Sequence, residues 1–147
     1  MTKKSEIKLL GAPASPYVTR VRIALNLKSI EYEYVDENLA CKSKLLLTSN
    51  PVHEKVPVLL HANKPPICES LVIIEYLNEI KPDVHRLLPS NAVERADRRF
   101  WAHYIDNKVF DDLSLFQANS LLKFFKKDTL LSKIFRINST YRILLLV

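Results

Sequence analysis

One hydroxyl stands where a short apolar strand meets a helix. In the run Leu9-Leu10-Gly11-Ala12-Pro13-Ala14-Ser15-Pro16-Tyr17, Ser15 falls at the mouth of a helix that begins near Pro16. A helix start gathers unpaired backbone N–H groups and the positive end of the dipole, so it favours an anion. Ser15 therefore has two readings. It caps the helix, as serine often does, or it also donates a hydrogen bond to a negatively charged atom such as a ligand thiolate. A second anion site is offered by Glu69-Ser70 at a later helix start. There the N–H groups and the Ser70 hydroxyl suit a carboxylate, and Glu69 suits an amine. An ordinary capping serine beside a favourable glutamate is the plainer alternative. Val56-Pro57 interrupts an apolar strand, where proline removes a ladder hydrogen bond. Either the bond is cis and the strand starts there, with the Val56 N–H and C=O open to an extended peptide ligand, or a trans proline sits at a strand edge. Lys42 and Lys55 are surface charges or partners for a further carboxylate.

The elements that must position these groups follow from periodicity and turn chemistry. Ile7–Leu10 reads as a buried strand and Pro16–Lys28 as a helix. Tyr17, Val21, Ala24 and Leu25 share one side of that helix, with Arg20, Arg22 and Asn26 elsewhere. Glu31–Val35 alternates and is β-prone, so a parallel crossover is expected. A short helix over residues 45–49 stops at Asn50-Pro51. Strands follow at Val56–Leu60 and Ile67-Cys68, then an apolar helix from Ser70 to Ile80 with Ser70 near its N-cap. The expected fold class is α/β, a βαβ half followed by a ββα half with helices on the faces of a mixed sheet. Domain limits are placed at residues 1–82, with a linker over 83–90 and a helical part over 91–147. Asn91 and Glu94 have the spacing of a capping box for a helix carrying Val93, Ala96, Phe100, Tyr104 and Ile105 to about Phe110. Phe100 and Trp101 read as core residues or as substrate stackers. Helical pieces are expected over 121–125 and 130–135.

Bulk properties narrow the classes. The chain has 147 residues, 48% hydrophobic, with a net charge of +6. That is a globular composition, and the basic residues are interspersed with acidic ones rather than interleaved with aromatics as in nucleic-acid binders. Cys41 and Cys68 lack metal-ligand or CxxC spacing and read as free thiols, and no metal site is expected. The polar stretch Met1–Lys4 and the short apolar end Ile143–Val147 give neither a signal peptide nor a membrane span. A cytoplasmic protein is expected. The scattered histidines suggest no Ser–His–Asp arrangement.

Taken together, the parts are a thiolate site, an open backbone edge, an amino-acid head-group site and lysines for a terminal carboxylate. They match the parts of glutathione. Ordered runs carry a resemblance as well. They include Lys8-Leu9-Leu10-Gly11 through Ser15-Pro16-Tyr17, Arg20-Val21-Arg22-Ile23-Ala24-Leu25, and Lys42-Ser43-Lys44-Leu45-Leu46-Leu47. Asn50-Pro51-Val52-His53 through Val58-Leu59, Cys68-Glu69-Ser70-Leu71 through Tyr76, and Glu94-Arg95-Ala96 through Ala102 complete the set. Residues 7–110 resemble a tau-class glutathione transferase, a large plant class. The resemblance implies a thioredoxin-like first domain and an all-helical second one. It implies that Ser15 bonds the glutathione sulfur and that Lys42 and Lys55 hold the glycine carboxylate region. Val56, before a cis Pro57, would pair with the cysteinyl backbone, and Glu69 and Ser70 would bind the γ-glutamyl end. It further implies detoxifying conjugation of apolar electrophiles, with glutathione as co-substrate, and a homodimer.

The chain departs from that pattern after about Phe110, where the helical domain is expected to be truncated and to end in a divergent tail over 112–147. The turn 62–66 lacks the usual glycine and is one residue longer, and Ser29 stands where a turn glycine is common; Gly11 is the only glycine. Two functions are expected to compete: a glutathione transferase, or a domain that binds glutathione and catalyses little. A thiol–disulfide exchange enzyme is disfavoured, since Ser15 is no thiolate.

Overall fold

The computed structural model describes residues 6–107; the readings made for the tail beyond them lie outside the described residues. The described chain divides into two compact units at the Leu87–Leu88 boundary.

The first unit is built on a four-stranded sheet. Strand β1 (Ile7–Gly11) leads into helix α1 (Pro16–Leu27), then β2 (Glu33–Asp36), helix α2 (Lys44–Ser49), β3 (Val58–His61), β4 (Ile67–Cys68) and helix α3 (Ser70–Ile80). Spatial order is β2-β1-β3-β4. β1 and β2 are parallel, while β3 runs antiparallel to both β1 and β4. This is the βαβ-then-ββα, thioredoxin-like arrangement read from the sequence. The β2 and β3 ladders start two residues later than periodicity suggested. Pro57 has no N–H to give to a ladder, and the β1 register begins against Glu33 rather than Glu31.

Leu9, Leu25, Leu59, Ile73 and Leu77 are fully buried and form the heart of the unit. A second cluster of Leu10, Leu46 and Val58 seats α2, with Val35, Val56, Leu60 and Cys68 packed on it. Gly11 is required by close approach: a Cβ there would lie 2.6 Å from Val18 Cγ1 and 3.0 Å from the Tyr34 ring.

Two buried cations correct the helical pattern of α1. Periodicity sets Arg20 apart from the apolar side, yet it is buried and its Nη1 donates to Ser70 Oγ at 3.1 Å. Lys28, the C-cap of α1, is wholly buried. Its ammonium donates to Asn78 Oδ1 at 3.1 Å, Lys81 O at 2.9 Å and Val84 O at 2.8 Å. Both cations meet their hydrogen-bonding needs inside the protein, which is the condition for burying a charge. Burial lowers the Lys28 pKa, and the like charge of Arg86 adds to the effect. Ser29 takes φ 49° and Asn63 φ 61°, so both turns that lack glycine do adopt the left-handed backbone.

The second unit begins with helix α4 (Ala92–Ile105). Asn91 Oδ1 caps it, accepting from Val93 N at 2.9 Å and Glu94 N at 3.1 Å. The helix buries Ala102 and Ile105, whereas Val93 and Phe100 of the expected apolar stripe are exposed. Phe100, Trp101 and Tyr104 stack edge to face along it.

Candidate functional site

Strand register gathers the chemistry at one end of the sheet. Gly11 pairs with Asp36 and Leu10 with Val58, while Val58 also pairs with Cys68. Parallel β1 and β2 therefore end together, where antiparallel β3 begins and β4 ends. The segments carrying Ser15, Lys42, Val56-Pro57 and Glu69-Ser70 all leave the sheet at that edge.

Ser15 is the N-cap of α1, with Pro16 in the first turn. Its Oγ accepts from Val18 N at 3.3 Å. The hydroxyl proton has no acceptor among the described residues, so it is available to an incoming anion. Ser15 N donates to Ala12 O at 3.0 Å, which fixes the turn. The capping reading is thus met, and the donor reading remains compatible with it.

The Val56–Pro57 peptide bond is cis. Neither the N–H nor the C=O of Val56 has a hydrogen-bond partner among the described residues. Pro57 itself is buried. An unpaired main-chain edge of this kind suits an extended peptide.

The third segment differs from its expectation. Glu69, not Ser70, occupies the N-cap of α3, and no side chain caps that helix. Ser70 is the first helical residue, buried, with its hydroxyl engaged by Arg20. The first-turn N–H groups of α3 therefore have no side-chain cap, and a buried guanidinium stands behind them. Glu69 has φ 69° and ψ 122°, a backbone region that costs a non-glycine residue about 1–3 kcal/mol. Its carboxylate lies 3.9 Å from His53 Nε2.

Lys42 is carried by the loop between β2 and α2. Buried Glu37 shapes that loop: its Oε1 accepts from Ser43 Oγ at 2.7 Å, its Oε2 from Ser43 N at 3.3 Å, and its own N–H donates to Gly11 O at 2.8 Å. Ser43 in turn caps α2 through Leu46 N at 3.0 Å. Lys42 Nζ is 3.6 Å from Glu54 Oε2. Lys55 is exposed, and its ammonium has no partner among the described residues.

Sequence reasoning missed Arg20 and Glu37 as supports of this edge. The signal for Glu37 was local, a carboxylate six residues before a capping serine. Arg20 gave no local signal, because its partner lies 50 positions away. The two cysteines are free thiols. Burial pushes the Cys68 thiol up, with the neighbouring Glu69 charge adding to it, so Cys68 is held in its unreactive form. Among the described residues no cluster of His, Cys, Asp or Glu is placed to hold a metal ion, and no helix is long and apolar enough to cross a membrane.

Residues 9–85 match the family model for the glutathione S-transferase N-terminal domain. The probable glutathione S-transferase GSTU6 of Oryza sativa subsp. japonica is 55% identical over 113 residues, covering 74% of this chain and 48% of the relative. Among solved structures, the Tau-class glutathione S-transferase of mango (Mangifera indica L.) aligns with a TM-score of 0.72 at 54% identity, covering 76% of this chain and 50% of that one. Rice OsGSTU1, solved in complex with glutathione, aligns with a TM-score of 0.69 at 48% identity, covering 74% and 51%. The chain spans about half the length of the curated relatives it matches. A thioredoxin-like sheet and these matches place the chain in the glutathione S-transferase family, with Tau-class relatives.

Proposed function

We propose that this chain binds glutathione along the sheet edge and that Ser15 holds its sulfur as the thiolate, which then attacks apolar electrophiles. Glutathione's thiol is mostly protonated at neutral pH, and the thiolate is the nucleophile. A hydrogen bond to a charged group contributes roughly 1.5–3 kcal/mol, which lowers the thiol pKa by about one to two units. The positive end of α1 adds to this. The thiol proton leaves to solvent, the sulfur pair forms a C–S bond, and an aryl halide expels its halide. Val56 aligns the cysteinyl backbone, the α3 start and Glu69 take the γ-glutamyl head group, and Lys42 and Lys55 face the glycyl carboxylate. Both cysteines are free thiols, which suits work in the reducing cytosol.

The observation that carries this reading is the Ser15 hydroxyl, fixed by Val18 N with its proton unclaimed among the described residues. A second reading is binding without turnover. Calorimetry with glutathione, run beside conjugation of a generic aryl halide by the purified chain, tests both. Binding with turnover supports the transferase, and binding alone selects the second reading. Absence of glutathione binding overturns both.

A further inference from the structure

A tight loop after α2 reaches both charged ends of the site. Buried Asn50 clamps it: Nδ2 donates to Lys55 O at 3.0 Å, Oδ1 accepts from His53 N at 3.3 Å, and the Asn50 carbonyl accepts from Glu54 N at 2.8 Å. Glu54 is held at φ 52°, in the left-handed region. From that fixed backbone, Glu54 Oε2 comes within 3.6 Å of Lys42 Nζ, while His53 Nε2 comes within 3.9 Å of Glu69 Oε1. One loop thus sets an anion on the cation proposed to meet the glycyl carboxylate, and an imidazole on the anion proposed to meet the α-ammonium.

We propose that Glu54 is a specificity-determining residue, an internal stand-in for the glycyl carboxylate that weakens this chain's preference for that group. The inference rests on the glutathione reading above. A carboxylate arriving at Lys42 must displace the Glu54 contact and then lie beside a like charge. A ligand without that carboxylate meets neither obstacle. The contact is half-exposed, with side-chain exposures of 34% for Lys42 and 49% for Glu54, so it holds back the ligand without blocking it.

The test is the ratio of dissociation constants for glutathione glycyl ethyl ester and glutathione, measured by calorimetry on the full chain. Glu54→Gln should tighten glutathione by about two- to fivefold and leave the ester unchanged, raising the ratio. Glu54→Lys should raise it further. His53→Gln, which alters the same loop at its other contact, should leave the ratio as in the parent. A ratio unchanged in both Glu54 variants, with the parent still binding glutathione, overturns this inference alone. Failure of the parent and both variants to bind glutathione overturns the binding reading and this inference with it. A loss of affinity for both ligands in Glu54→Gln, or an equal rise in the ratio for His53→Gln, would mark a merely structural loop and also overturn it.

Discussion

The starts of α1 and α3 both carry a serine, and the protein uses them in opposite ways. At α1 the serine is the cap: Ser15 takes Val18 N and keeps its proton. At α3 the serine lies inside the first turn, its hydroxyl is spent on Arg20, and the cap position goes to a glutamate in a strained backbone. The first start offers a single directed hydroxyl. The second offers bare N–H groups, a guanidinium behind them and a carboxylate in front. A lone sulfur anion suits the former; a head group with a carboxylate and an ammonium side by side suits the latter. The difference teaches that a serine at a helix start says little until its neighbours' hydrogen bonds are assigned.

The comparison depends on the two helices being locked together, and Lys28 supplies the lock at their far ends. Lys28→Met takes the ammonium from three acceptors and leaves Val84 O without a donor among the described residues, while Asn78 Oδ1 keeps Leu87 N and Lys81 O keeps Val84 N. An unsatisfied buried group costs about 1–3 kcal/mol, so a loss of about that size in unfolding free energy is expected from denaturant titration. The sign with pH is also fixed. Because burial lowers the Lys28 pKa in the folded state, the unfolded chain binds more protons between the two values. Stability contributed through this group is lowest below the folded pKa and rises as pH climbs toward the unfolded one. Lys28→Met should erase that alkaline rise. A variant as stable as the parent would show that the lock is elsewhere.

Ser15→Ala separates the two starts by chemistry. Bound glutathione's thiol pKa, followed by thiolate absorbance, should rise by about one to two units. Conjugation should fall by about 10- to 100-fold. Stability should drop by about 1 kcal/mol for the lost cap. Conjugation at the parent's rate would remove Ser15 from the mechanism.

Much of this architecture was legible in the chain. The apolar run of Ser70–Ile80, the Asn91 cap and the turn chemistry located the elements, and the residue types named the candidate site groups. What stayed hidden was long-range. Periodicity counts Arg20 and Lys28 as polar, yet their burial is decided by acceptors 50 or more positions away. Ser70 resembled a cap because local sequence does not reveal that Glu69 adopts φ 69°. Likewise, the contact of Glu54 with Lys42 depends on a loop conformation that Asn50 imposes.

Ser70→Ala sharpens the contrast. It removes an acceptor from a buried guanidinium and should cost about 1–2 kcal/mol of stability. Glutathione affinity should weaken with it, because the α3 start is no longer held against α1. The bound thiol pKa should stay at the parent's value, since this hydroxyl has no sulfur to meet. A pKa rise equal to that of Ser15→Ala would erase the division of labour between the two starts.

The smallest effect is the most pointed. Glu69→Gly should stabilise the fold by about 1 kcal/mol while weakening glutathione binding. Relief of the left-handed backbone returns about 1–3 kcal/mol, and glycine's extra freedom in the unfolded chain takes back about 0.5–1 kcal/mol. The lost contact with His53 is exposed and long at 3.9 Å, so it subtracts little. A rise in the denaturant midpoint at constant slope, together with a weaker dissociation constant, would show stability and binding pulling apart at one residue. Strain kept at a position that contributes nothing to folding is strain kept for a ligand. If the midpoint falls instead, the glutamate is part of the fold's own support, and the α3 start loses its claim to be a site built at the expense of stability.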